Sequence, residues 1–302
     1  MNPSPQLPFD FDITRLEAQL PSDWQLHYFA EIESTNDWAL ERYRVEAPTL
    51  PAFVLARLQS RGRGRSDRTW QAAAGNLTCS LVFPLACSAS ISAGVPQPRR
   101  LAWPARLAIA AALAVWETAR DFLPEQSCQI KWPNDLLVDG RKAAGILIES
   151  CFANASSGDP TRIQTVIVGV GINVNTNPTT QQAAASPHRG ITPISFADAA
   201  GKQFELTDVV ARLTTHFAHR LTATGVLGYS PFTSNSDVDA DDAGLVAEFN
   251  QQLAWRGQLV SIRQASEEIQ GELAGLDQTG NLLISTPNGP RTFAAGELRP
   301  IE

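Results

Sequence analysis

The stretch KWPNDLLVDGRKAAGILIE, residues 131–149, decides the fold class. Pro133 cannot donate to a strand ladder, so it stops the strand that "CQIKW" begins and forces a turn. "LLVDGRKAAGILIES" then reads as two strands joined at Asp139-Gly140, a pair that favours the type I′ hairpin turn. A tight hairpin pairs its strands antiparallel. The sheet that holds it is therefore mixed or antiparallel, not the parallel sheet of a doubly wound fold. In this register Lys142 lies opposite Leu137, and Gly145 removes a side chain where another backbone or a ligand can approach.

Outward from the hairpin, alternation and periodicity place the neighbours. "AFVLARLQ", "GNLTCSLVFPL" and "QTVIVGVGINVN" read as core strands, and "WQLHYFAEI" as a further one. Helices are expected at "DITRLEAQL" with Asp12 as N-cap, at "ESTNDWALERY" with Ser34 and Asp37 as a capping box, over 102–120, and over 206–222. Loops are expected over 87–100 and 176–190. After about residue 252 short strands with regular turn signals suggest a small all-β barrel. The expected organisation is a tail and first helix at 1–24, a catalytic domain at 25–252 and a β-barrel domain at 253–302.

Composition narrows the class. Hydrophobic content of 43% with 18% charged residues is that of an ordinary globular protein. A net charge of −7 argues against coating nucleic acid, which depends on neutralising phosphates. The longest apolar run, "LAIAAALAVW" at 107–116, has about half the length of a membrane span. "MNPSPQLPFD" lacks the features of a secretory signal, and Cys79, Cys87, Cys128 and Cys151 show no C-x-x-C spacing. A cytoplasmic protein with free thiols is expected.

Against this acidic background, "QSRGRGRSDRTW" at 59–70 gathers four arginines on a glycine-rich loop. Its glycines would let backbone amides turn inward as a nest for anionic oxygens. The loop is not a Walker A sequence, and "GVGINVN" at 169–175 does not complete a dinucleotide fingerprint. Lysine is scarce: Lys131, Lys142 and Lys202 stand against 21 arginines among the 24 basic residues, and two of the three sit on the hairpin. Compact ammonium groups suit point contacts to phosphate or carboxylate, although hairpin lysines alone are equally compatible with solvated charge.

Two other patterns lead elsewhere. "DVDADDAGLVAE" at 237–248 nearly fits an EF-hand loop, but Asp242 stands where glycine must turn the chain, so an acidic helix start is the better reading. "HFAH" at 216–219 lacks the glutamate of a zincin motif, leaving surface histidines.

Taken together, "ESTND" (33–37), the arginine loop, the hairpin and "VGVGINVN" (168–175) resemble, in order and spacing, the biotin protein ligases, or biotin–[acetyl-CoA-carboxylase] ligases. The resemblance covers about residues 25–302. It implies an α+β fold of the class II synthetase type, with a mixed sheet flanked by helices and a small C-terminal barrel. It further implies the ligase-only type without an N-terminal DNA-binding domain. The implied reaction converts biotin and ATP to biotinyl-5′-AMP, with Mg²⁺ carried on ATP rather than in a protein cage. Biotin then passes to a lysine of a biotin carboxyl carrier protein. No DNA or membrane partner is implied, and the chain is expected to be a monomer or homodimer.

By the same resemblance Lys142, Arg63 and Arg65 are the catalytic candidates, and these three bind biotin with Ser34, Thr35, Asn36, Gln59 and Gly64. Trp70, Lys131, Asn134, Asp135 and Asn173 are assigned to ATP or the adenylate. Helix capping accounts equally for Ser34, and core packing for Trp70. Two positions depart from the family loop: Arg61 replaces an alanine and Asp67 a glycine, and the two charges are expected to form a pair within the loop. A lipoate or octanoate ligase, a non-catalytic biotin or nucleotide sensor, and a nucleic-acid module using the arginine loop are the alternatives.

Overall fold

The computed structural model describes residues 10–65, 68–71, 73–84, 101–152, 163–178, 191–223, 242–264 and 267–301. The loop at 87–100, most of that at 176–190, Cys87 and Asp67 lie outside them, as does the start of the EF-hand-like stretch.

Seven strands build the main sheet: β1 (Gln25–Phe29), β2 (Ala52–Ala56), β3 (Leu77–Pro84), β4 (Cys128–Lys131), β5 (Asp135–Val138), β6 (Arg141–Phe152) and β7 (Ile163–Ile172). Their order is β1-β2-β3-β7-β6-β5-β4, antiparallel throughout except for β1 beside β2, so the sheet is mixed. Asp139 and Gly140 both adopt positive φ, the I′ turn, and Leu137 pairs with Lys142. The helices are α1 (Ile13–Gln19), α2 (Thr35–Tyr43), α3 (Trp103–Phe122), α4 (Phe196–Ala200), α5 (Leu206–Ala223) and α6 (Asp242–Gln252).

Strand alternation splits the sheet into two unlike faces. On one, Phe53, Leu55, Leu81, Phe83, Val168 and Val170 join α3 and α5 in the main core. On the other, Val54, Val82 and Ile167 join Ala39 and Tyr43 of α2 in a small separate cluster. The remainder of this second face carries short side chains. Across β2, β3, β7, β6 and β5 one row reads Ala56, Thr78, Gly171, Gly145, Asp135, and the next reads Val54, Ser80, Gly169, Leu147. The "VGVGIN" glycines therefore lie on a strand and leave a bare floor, which is why they form no dinucleotide loop.

The C-terminal strands are β8 (Leu259–Gln264), β9 (Glu267–Leu276), β10 (Leu282–Thr286), β11 (Gly289–Phe293) and β12 (Glu297–Pro300). They form an antiparallel sheet in the order β11-β10-β9-β8-β12. Asp242, the EF-hand misfit, is buried at the start of α6. It accepts hydrogen bonds from the Leu101 amide at 2.9 Å and Arg106 Nε at 2.8 Å, so it secures the entry to α3. His216 is a correction to the surface reading. It is half-buried, with Nε2 2.9 Å from Asp121 and Nδ1 3.5 Å from Glu117, because α3 and α5 pack side by side.

Candidate active site

The bare floor is the base of a cavity of about 850 Å³, and every candidate site residue lines it. One wall is the start of α2. Ser34 caps the helix by accepting from the Asp37 amide, which leaves Thr35 and Asn36 buried over the floor. The Thr35 amide donates to Gln59 Oε1 at 2.7 Å, tying this wall to the entry of the arginine loop. Asn36 stands on Gly169, where a Cβ would come within 2.9 Å of its Cγ.

The arginine loop forms the roof and is itself a small hairpin. Arg63 bridges Thr69, the Trp70 amide donates to Gly62 O, and the Gly64 amide donates to Arg68 O at 2.6 Å. That last bond corrects the expectation of an open amide nest, since the loop uses the Gly64 amide to close on itself. The expected partner of Arg61, Asp67, lies outside the described residues, and Arg61 itself pairs with Glu33. Its Nη1 lies 2.9 Å from Glu33 Oε2, because the Arg61 amide already donates to Glu33 O and sets the two side chains together.

The two family arginines are not equivalent. Arg63 sits between carboxylates, 2.7 Å from Glu149 and 2.6 Å from Asp37. Burial disfavours its charge, but hydrogen bonds and attraction from Glu149 and Asp37 outweigh this and raise its pKa. Arg65 has no ion pair among the described residues and donates to Asn134 Oδ1 at 3.2 Å. Its burial lowers its pKa despite attraction from Asp135.

Asp135 lies buried in the floor with Lys142 Nζ at 2.6 Å and Lys131 Nζ at 3.2 Å. Regular alternation would aim Lys142 into the core with Ala144 and Ile146. A bulge at Ala143 shifts the register and turns it onto the Gly145 face, with Nζ 3.5 Å from where a glycine Cβ would be. Two ammonium groups thus flank one carboxylate. Trp70 lies over the cross-strand pair Gly145 and Gly171; a Cβ on Gly171 would sit 2.5 Å from its Nε1. Lys142 Nζ is 5.7 Å from the ring. Two buried polar atoms of the cavity lining face no partner among the described residues, Trp70 Nε1 and Asn173 Oδ1. The Asn173 amide nitrogen donates to the carbonyls of Lys142 and Ile194, which fixes Oδ1 as the open acceptor.

Sequence reasoning missed the far rim. Arg263, Gln264, Gly296 and Glu297 of the C-terminal sheet line the cavity, and Arg68 Nη2 reaches Glu297 Oε2 at 3.2 Å. No local pattern marks these residues. It also missed Glu149, which follows an apolar run inside β6.

Residues 28–173 match the family model "Biotin/lipoate A/B protein ligase family", and residues 257–298 match "Biotin protein ligase C terminal domain". Fold and site thus define the class as a biotin/lipoate-type protein ligase. The chain is 31% identical to the biotin–[acetyl-CoA-carboxylase] ligase of Paracoccus denitrificans over 89% of its length and 98% of that protein. It is 26% identical to the bifunctional ligase/repressor BirA of Bacillus subtilis, over 90% of its length and 73% of that protein. Its fold superposes on the biotin protein ligase of Aquifex aeolicus in complex with biotin and ATP with a TM-score of 0.68 at 20% identity, covering 92% of this chain and 99% of that one. The chain belongs to the biotin protein ligase family.

Proposed function

We propose that this chain activates biotin with ATP and transfers it to a lysine of the carboxyl carrier protein of acetyl-CoA carboxylase. A biotin carboxylate oxygen attacks the α-phosphorus, the bond to the β-phosphate breaks, and pyrophosphate leaves. A neutral lysine amine of the acceptor then attacks the mixed anhydride carbonyl, AMP leaves, and an amide forms with loss of a proton. The first step brings two anions together, so it needs fixed cations where charge accumulates.

The observation that carries this reading is the convergence of Lys142, Lys131 and Arg65 over a flat floor. Lys142, held by Asp135, bridges the biotin carboxylate and the α-phosphate. Arg65, with no ion pair among the described residues, takes the phosphate charge. Asn173 Oδ1 is the acceptor for the adenine amino group, and Trp70 packs on the base. Ser34, Thr35, Asn36 and Gln59 read the ureido head, while Arg63 and Gly64 cover it. Mg²⁺ carried on ATP would supply the charge that neutralises the departing pyrophosphate. Asp135 is the carboxylate beside the phosphate-facing lysines that would hold it.

The test is biotin-dependent exchange of labelled pyrophosphate into ATP, with lipoate and octanoate as controls. Exchange with biotin alone is expected. Exchange only with lipoate or octanoate, or with no acid, overturns the reading.

A further inference from the structure

Glu149 stands at the end of the site where no role has been assigned. Its Oε2 accepts from Asn36 Nδ2 at 2.7 Å and from Arg63 Nη2 at 2.7 Å, and its Oε1 accepts from Arg63 at 3.0 Å. A carboxylate only accepts, so Asn36 must turn its amino end toward it, where Nδ2 also reaches Leu147 O at 3.3 Å. The Asn36 carbonyl then faces the buried Ser80, 2.6 Å from its hydroxyl. Ser80 has one proton and donates it to that carbonyl. Thr35 Oγ1, 2.7 Å from Ser80 Oγ, must therefore donate to Ser80, and its lone pairs are left for the cavity. Hydrogen-bond direction thus runs from Thr35 through Ser80 and Asn36 to Glu149.

We propose that Glu149 is a positioning residue that sets this direction, presenting Thr35 as an acceptor to a ligand N–H while its other contacts draw Arg63 over the same ligand. The proposal rests on the biotin-activating reading, because the ureido group supplies the N–H donors. It makes head-group recognition and roof closure parts of one event. Glutamate suits the position because it serves two donors at once; an amide in its place can accept from only one side.

The experiment compares pyrophosphate exchange in wild type, Glu149→Gln, Asn36→Asp and the double variant. Glu149→Gln takes away the acceptor-only group, and Asn36→Asp sets two carboxylates against each other. Each is expected to raise the KM for biotin about tenfold or more, with kcat and the KM for ATP within about threefold, as loss of a charge-assisted hydrogen bond implies. In the double variant the amide at 149 donates to the carboxylate at 36, whose other oxygen still accepts from Ser80. Its KM for biotin is expected to return to within about threefold of wild type. Glu149→Gln should also speed tryptic cleavage after Arg63 by releasing the roof. An active wild type whose biotin KM ignores Glu149→Gln, or a double variant no better than its worse parent, overturns the proposal. A variant that does not fold is judged by the double variant, whose recovery the proposal requires. An inactive wild type instead defeats the functional reading itself.

Discussion

Lys142 reaches the cavity because Ala143 is an extra residue in the ladder, and its ammonium is fixed by Asp135 at 2.6 Å. Arginine keeps the charge but not the compact point contact, so Lys142→Arg is expected to slow pyrophosphate exchange by about 10²-fold. Transfer from chemically made biotinyl-5′-AMP should fall less, since its phosphorus has already reacted. Gly171 is equally constrained. Adding a methyl group drives Trp70 off the floor, so Gly171→Ala is expected to raise the KM for ATP about tenfold with little change in unfolding temperature. Much of this scale was legible: lysine scarcity singled out Lys131 and Lys142, and motif order collected the other candidate residues, all of which line the cavity. The glycine floor was not, because Gly145 becomes a neighbour of Gly169 and Gly171 only once two strands are in register. The Arg61–Glu33 pair was not legible either, because Glu33 is brought alongside by backbone bonds that the arginine loop does not announce.

Strands and helices were easier to read than their mutual contacts. The hairpin, its turn and the N-caps at Asp12 and Ser34 follow local rules, and all are present. α4 was missed because it is only five residues long and has little periodicity to show. Ser34 links two levels, since the helix start it caps also carries Thr35 and Asn36 into the site. Ser34→Ala is expected to cost about 1 kcal/mol, read as a lower unfolding temperature, and to weaken biotin binding alongside. On the opposite side of the molecule Arg220 of α5 is 12% exposed and joins Glu117 of α3, at 2.5 Å, to Glu248 of α6. Removing it strands two carboxylates. Arg220→Ala is expected to destabilise by roughly 3 kcal/mol in denaturant titrations while leaving the KM for biotin unchanged.

Across the whole molecule, the two thiols buried in the main core tie stability to pH. Burial holds Cys128 up to about 11 and Cys79 higher still, from an ordinary value of 9.0. The folded chain keeps protons that the unfolded chain releases, so this contribution is complete below pH 9 and is lost as pH climbs through 11. Melting temperatures under reducing conditions should fall across that window, and Cys79→Ala should flatten the fall. At the same scale, Arg68 and Glu297 join the roof to the C-terminal sheet, a union between distant segments that no local pattern could reveal. The floor has a consequence for re-engineering. Gly169 and Gly171 lie on a strand flanked on both sides, so the plate beneath a bound ring is main chain with its bonds already committed. Such a plate supports flat bicyclic groups without judging them. Efforts to load unnatural vitamin analogues onto proteins should redesign the uprights around it and leave the base alone.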